Sequence, residues 1–161
     1  MNKQRGLWLR SAVLGLDDGL VTTLIFIATA ASITPKLFLV VLANVLAGAI
    51  AMTLGSYLSA KTSHEVNGHD GGEYHPWLQG MQVGAAFVVG GTFPTLPVLF
   101  GATNVVWWSY GCTAVISVAL GILKTHYTGR HPIRSAIEFL AVVTIGALVG
   151  VLAGSALGNI S

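Results

Sequence analysis

The sequence predicts an all-α integral membrane protein with five transmembrane helices and a cytosolic N-terminus, paired as a homodimer. Three observations carry the fold class. Of 161 residues, 53% are hydrophobic and only 9% charged, whereas a soluble domain carries roughly a quarter charged residues. The apolar residues fall in runs of the length that crosses a bilayer, roughly 20 residues each. Lysine and arginine collect on one side of those runs, as they do in cytosolic loops.

The first span runs from about residue 11 to 33 and ends in "SITPK", where Pro35 breaks the helix. The second runs from about 37 to 60 and stops at Lys61. "KTSHEVNGHDGGEYH", residues 61–75, is polar, glycine-rich and without an apolar period, and so reads as a cytosolic loop. No charged residue occurs from Pro76 to Leu123, a run too long for one span and suited to two. "GTFPTLPVLFGATN", residues 91–104, marks the break with Pro94, Pro97, Gly101 and Asn104. The third helix is therefore expected over about 77–94 and the fourth over about 103–123. The polar link "KTHYTGRHPIR", 124–134, precedes a fifth helix over about 133–157. The whole chain, 1–161, reads as a single transmembrane domain. A cleavable signal is disfavoured, although "ATAAS" at 28–32 resembles a cleavage site, because Asp17 and Asp18 interrupt the apolar region a signal needs. Neither end carries a lipidation motif.

With the N-terminus inside, Lys3, Arg5, Arg10, Lys61, Lys124, Arg130 and Arg134 all fall on the cytosolic side, and Lys36 alone on the other. Trp8 and Trp77 then lie at the inner interface and Trp107 and Trp108 at the outer one, where amphipathic rings settle. A net charge of +2 is too small to suggest a nucleic-acid partner. The one cysteine, Cys112, can form no intramolecular disulfide.

"LGLDDGL", residues 14–20, places two acids in an apolar run. As a helix N-cap they would leave fourteen residues to span, about 21 Å against a core of about 30 Å. In a helix starting near Ser11 they lie about 10 Å along it, inside the bilayer. Each then costs about 2.5–3.5 kcal/mol as a lone charge, and such acids usually serve a pathway. Adjacent helical residues point about 100° apart, so both cannot face one partner. On the second helix, Asn44, Gly48, Met52, Gly55 and Ser59 recur every three to four residues along one face. Met52 reads either as a core gap filler or, beside an intramembrane carboxylate, as a soft ligand. Carboxylate with thioether suits a borderline transition ion better than Mg²⁺ or Ca²⁺. The loop offers His64, Glu65, His69, Asp70, Glu73 and His75, which either capture a divalent ion from the cytosol or are simply solvated; no strict ligand spacing decides between these. Gly146, Gly150, Gly154 and Gly158 form a four-residue stripe for close helix packing, within a protomer or across a dimer. Glu138 follows Arg134 at i+4 and reads as half of an intrahelical ion pair.

Four stretches together resemble the vacuolar iron transporter family, metal and proton antiporters that move Fe²⁺ or Mn²⁺ out of the cytosol. "GLDDGL" (15–20) is similar to that family's G-x-x-D-G-[LI]. "AGAIAMTLGSYLSA" (47–60) is similar to its second-helix pattern, and "GTFPTLP" (91–97) to the end of its third. "GILKTHYTGRHPIRSAIEFLAVVTIGALVG" (121–150) resembles its G-x-L-K-x-x-x-T-G-x-x-x-x-R-S-x-x-E. The resemblance covers almost the whole chain. It implies that Asp18 and Met52 line a metal path at a two-fold dimer interface, that Fe²⁺ or Mn²⁺ is the cargo with H⁺ as coupling ion, and that no cofactor is bound permanently. Two departures stand out: Asn44 occupies a position where transporters of this family often carry glutamate, and a long cytosolic metal-binding domain is replaced by residues 61–75. Asp17, where the family more often has Ser or Asn, is a candidate to compensate for Asn44. A non-transporting membrane metal sensor or assembly partner of the same fold is the alternative. No enzyme is expected, because no Ser/His/Asp set or phosphate loop is present. A bacterial inner membrane and a vacuolar-type membrane both fit, and the short chain without a targeting segment points to the former.

Overall fold

A computed structural model describes residues 3–67, 75–129 and 131–159, with the backbone alone at 3–5, 7, 67 and 126–128. These residues form five helices: α1 (Lys3–Ala30), α2 (Leu37–Asn67), α3 (Pro76–Leu99), α4 (Val105–Thr128) and α5 (Pro132–Gly158). All five are long and apolar enough to cross a bilayer. The chain is an integral membrane protein.

Local chemistry sets the helix ends. Pro76 and Pro132 open α3 and α5, at a position where the missing N–H would have no helical partner anyway. Gly129 closes α4 with φ 66°, its N–H bonded to the Thr125 carbonyl at 2.9 Å. Gly101 (φ 63°) and Asn104 (φ 58°) make the turn between α3 and α4.

Four boundaries differ from the sequence expectation. α1 begins at Lys3, not near Ser11, and α2 runs through Lys61 to Asn67, so the first part of the expected loop is helical. α4 likewise continues past Leu123 to Thr128 and takes Lys124 into the helix. In each case polar residues mark where the helix leaves the hydrocarbon, not where it stops. The fourth difference is in α3, which passes through Pro94 and Pro97 and ends at Leu99. Membrane helices tolerate internal proline where neighbouring helices and hydroxyl side chains supply donors. Pro94 and Pro97 withhold donors from the Gly90 and Phe93 carbonyls, and the hydroxyls of this segment bond neighbouring ones: Thr92 and Thr95 donate back to the Val88 and Gly91 carbonyls (2.8 and 2.7 Å). Ser109 of α4 donates across to the Pro94 carbonyl at 2.8 Å.

The topology follows from which residues meet. Gly15 lies against Val83 and Gly19 against Phe87 and Gly91, so α1 and α3 run parallel. Gly146, Gly150 and Gly154 meet Val21/Ile25, Ile25/Ala28 and Thr29, so α1 and α5 are parallel too. Gly80, Gly84 and Gly91 meet Thr53/Tyr57, Ala49/Thr53 and Val45, so α2 is antiparallel to α3. Gly121 meets Ala136 while Tyr110 bonds Thr144 at 2.9 Å, so α4 is antiparallel to α5. Arg10, Lys61, Lys124 and Arg134 thus gather at one end of the bundle and Lys36 stands at the other.

α1 is the hub and packs on every other helix, whereas α2 touches only α1 and α3 among the described residues. Leu20, Leu24 and Ile27 of α1 are fully buried with Val41, Val83, Phe87 and Val143. Between membrane helices there is little hydrophobic drive, and association rests on close packing of small residues. The α5 glycine stripe supplies it inside the protomer, against α1.

Candidate functional site

Because α1 starts at Lys3, Asp17 and Asp18 are interior residues of an unbroken helix, which overturns the N-cap reading. The apolar span within α1 runs Trp8–Ala30, 23 residues, and Asp18 is next to its midpoint. Ten residues from Trp8 correspond to about 15 Å of rise, half of a hydrocarbon core of about 30 Å.

The two carboxylates diverge. Asp18 is half-buried, and Thr22, one turn on, donates to its Oδ1 at 3.2 Å. It falls on the helix between Gly15 and Gly19, which face α3, and Val21 and Ile25, which meet α5. Asp17 points to the other side, into a cavity of about 580 Å³ between α1, α4 and α5. Arg10, Lys124, Glu138 and Phe139 line that cavity with it. One Asp17 oxygen, Oδ1, is buried without a hydrogen-bond partner.

Phe87 fixes the depth of α2 relative to Asp18. Its backbone lies against Gly19, and its ring lies against Gly48. Gly48 is therefore level with the acids. Asn44 lies one turn toward the Lys36 end and Met52 one turn toward the basic end, both half-buried. Asn44 Nδ2 is buried without a partner. Of the five-residue face read from the sequence, Gly48 meets Phe87, while Gly55 and Ser59 are exposed and Gly55 has nothing within 4 Å. Asp18 and Met52 stand at neighbouring depths on two helices that share α3, and neither lines the cavity that holds Asp17.

The segment after α2 is only partly described. His64 is half-buried and has an interaction partner; Glu65 is exposed and pairs with Lys61 at 3.9 Å. His75 is exposed just before α3. His69, Asp70 and Glu73 lie outside the described residues. Among the described residues, no three His, Cys, Asp or Glu side chains come together as a metal cluster. Arg134 and Glu138 form the expected i,i+4 pair at 3.5 Å.

Residues 9–71 and 67–155 match the VIT family. The chain belongs to the VIT family. It is also similar to Vacuolar iron transporter 1 of Oryza sativa subsp. japonica, with 26% identity over 212 residues covering 91% of this chain and 81% of the relative. That alignment is longer than the 161 residues of this VIT-family chain, so the relative carries segments absent here. The two family matches meet at 67–71, where α2 ends.

Two neighbours of the acids escaped the sequence reading. Thr22 was legible as a hydroxyl at i+4 from Asp18. Lys124 was placed in a polar link, and its position opposite Asp17 follows from the antiparallel docking of α4, which no local pattern announces.

Proposed function

We propose that this VIT-family protein transports a divalent transition metal, Fe²⁺ or Mn²⁺, out of the cytosol in exchange for protons. The observation that carries the reading is Asp18: a half-buried carboxylate at mid-span, held by Thr22, level with the Asn44–Met52 face of α2. The similarity to a plant vacuolar iron transporter supports it. One protomer offers a carboxylate, a thioether and an amide in this zone, too few to enclose an ion. Two copies related by a two-fold axis, meeting at the seam where Asp18 faces outward, double that set to two carboxylates and two thioethers. Such a set suits Fe²⁺ or Mn²⁺ better than Mg²⁺. Positive charge on the metal balances the two acids, and protons entering from the far side balance them equally well; the competition couples the two fluxes. The basic end faces the cytosol, as lysine and arginine do in short loops.

Asn44, neutral where an acid would bind metal more tightly, favours a second reading: a membrane metal sensor that binds without flux. Fe²⁺ uptake into proteoliposomes under an imposed pH gradient separates them. Gradient-dependent uptake that disappears in Asp18→Asn is the expected result. Binding without uptake in the wild type would establish the sensor instead.

A further inference from the structure

Two buried polar atoms without partners stand at one level of the bundle, just over a turn beyond Asp18. We infer that the Thr23 hydroxyl and the Asn44 side-chain amide share a buried water molecule beside Gly91, and that this internal site pins α2 to α1.

Three helices come into register at two successive levels. At the first, Gly19 of α1 and Gly48 of α2 both lie against Phe87 of α3. One turn outward, the corresponding positions are Thr23, Asn44 and Gly91. Packing holds this second level together: a Cβ built on Gly91 would stand 2.8 Å from Thr23 Oγ1 and 3.1 Å from Cγ2 of Val45, the residue beside Asn44. Thr23 is fully buried, yet its Oγ1 has no hydrogen-bond partner, and Asn44 Nδ2 is buried without one as well. A helical threonine has a ready acceptor in the carbonyl one turn back. Thr29, Thr53, Thr113 and Thr144 all use it, at 2.8 or 2.9 Å. Thr23 does not, and its hydroxyl stands against Gly91 instead. Beside Gly91, the Gly90 carbonyl lacks its helical donor, because Pro94 has no N–H. A hydroxyl and an N–H thus lack partners close to a carbonyl that is short of one. Such buried groups are costly alone and are normally met by ordered water. An inward N–H repels a metal ion, whereas water accepts from one group and donates to another. Among the described residues α2 packs only on α1 and α3, and the bridge fixes its register on α1, so that Met52 keeps its depth relative to Asp18. On this assignment the Asn44 N–H is turned into the protomer and away from the cargo; that consequence alone rests on the transport reading.

The test compares Thr23→Val, Thr23→Ser, Asn44→Leu and the Thr23→Val/Asn44→Leu double variant by thermal unfolding of the detergent-purified protein. Packing alone ranks valine above serine, because serine removes a methyl group from a buried site. The water site reverses that order. Valine keeps the shape but removes the hydroxyl and strands the Asn44 amide, so the unfolding temperature should fall by about 2–12 °C, with serine closer to wild type. The double variant should fall no further than the worse single one, since both polar groups are then gone. The inference fails if Thr23→Val is as stable as wild type or more so, if serine ranks below valine, or if the effects of the single substitutions add. Should valine prevent folding, a folded serine variant supports the site and an unfolded one overturns it. A wild type without Fe²⁺ uptake would refute the transport reading and leave this thermal order unaffected.

Discussion

Replacing Gly19 by alanine probes the seam that positions Asp18. A Cβ at Gly19 would overlap the Phe87 carbonyl oxygen and stand 3.0 Å from the Gly91 nitrogen. Both are backbone atoms of α3 and neither can swing aside, so the helices must part. Opening the seam by about 1 Å forfeits roughly a quarter to a half of the dispersion energy of each contact along it. Gly15 and Gly90 depend on the same approach, lying against Val83 and Leu16. Overpacking of this kind costs about 1–3 kcal/mol. At about 2–4 °C per kcal/mol for a chain of this size, the unfolding temperature should fall by about 2–12 °C. Gly111→Ala is the matched control, since nothing lies within 4 Å of its Cβ. Alanine gains up to about 1 kcal/mol of helix propensity there, so the temperature should hold or rise. Thermal unfolding of the detergent-purified protein, followed by intrinsic tryptophan fluorescence, measures both. A Gly19→Ala protein as stable as wild type, or a Gly111→Ala protein equally weakened, would refute the close-packed seam.

Ser109→Ala removes the hydroxyl that reaches the Pro94 carbonyl from a fully buried position, and should cost about 1–3 kcal/mol in the same assay. Tyr110→Phe should cost less, about 1 kcal/mol or under, because the Thr144 hydroxyl keeps its bond to the Leu140 carbonyl at 2.8 Å. In a Cys112→Ala background, a membrane-impermeant thiol reagent should reach Lys61→Cys from the cytosolic side only and Lys36→Cys from the opposite side only. The reverse labelling would invert the proposed orientation.

The five helices were legible because a span must be apolar for about 20 residues, and that requirement is written along the chain. Their ends were not, since hydropathy marks the membrane surface while a helix stops where its backbone is capped or broken. α2 carries its helix past Lys61, and α4 past Lys124 to a glycine cap at Gly129. Pro94 and Pro97 misled for the opposite reason: breakers in water, they sit inside α3. The periodicity of Gly146, Gly150 and Gly154 was plain, but only packing shows that α1 fills it. Asp18 stood out as an acid in an apolar run, and Thr22 lay at helical spacing from it. The cavity shared by Asp17 and Lys124 joins residues more than a hundred positions apart, and no window along the chain contains both.

The parallel pairing of α1 and α3 also orders events during synthesis. α1 finds its closest neighbour not in the helix that follows it but in the next one. Phe87 leaves the ribosome some 70 residues after Asp18, roughly 3–14 s later at common elongation rates. Through that interval Gly15 and Gly19 have no α3 to close against, and the two acids lie on a helix whose partners are still being made. The nascent first span needs shelter for those seconds, at the insertion machinery or beside another protein, before its own third helix arrives to provide it.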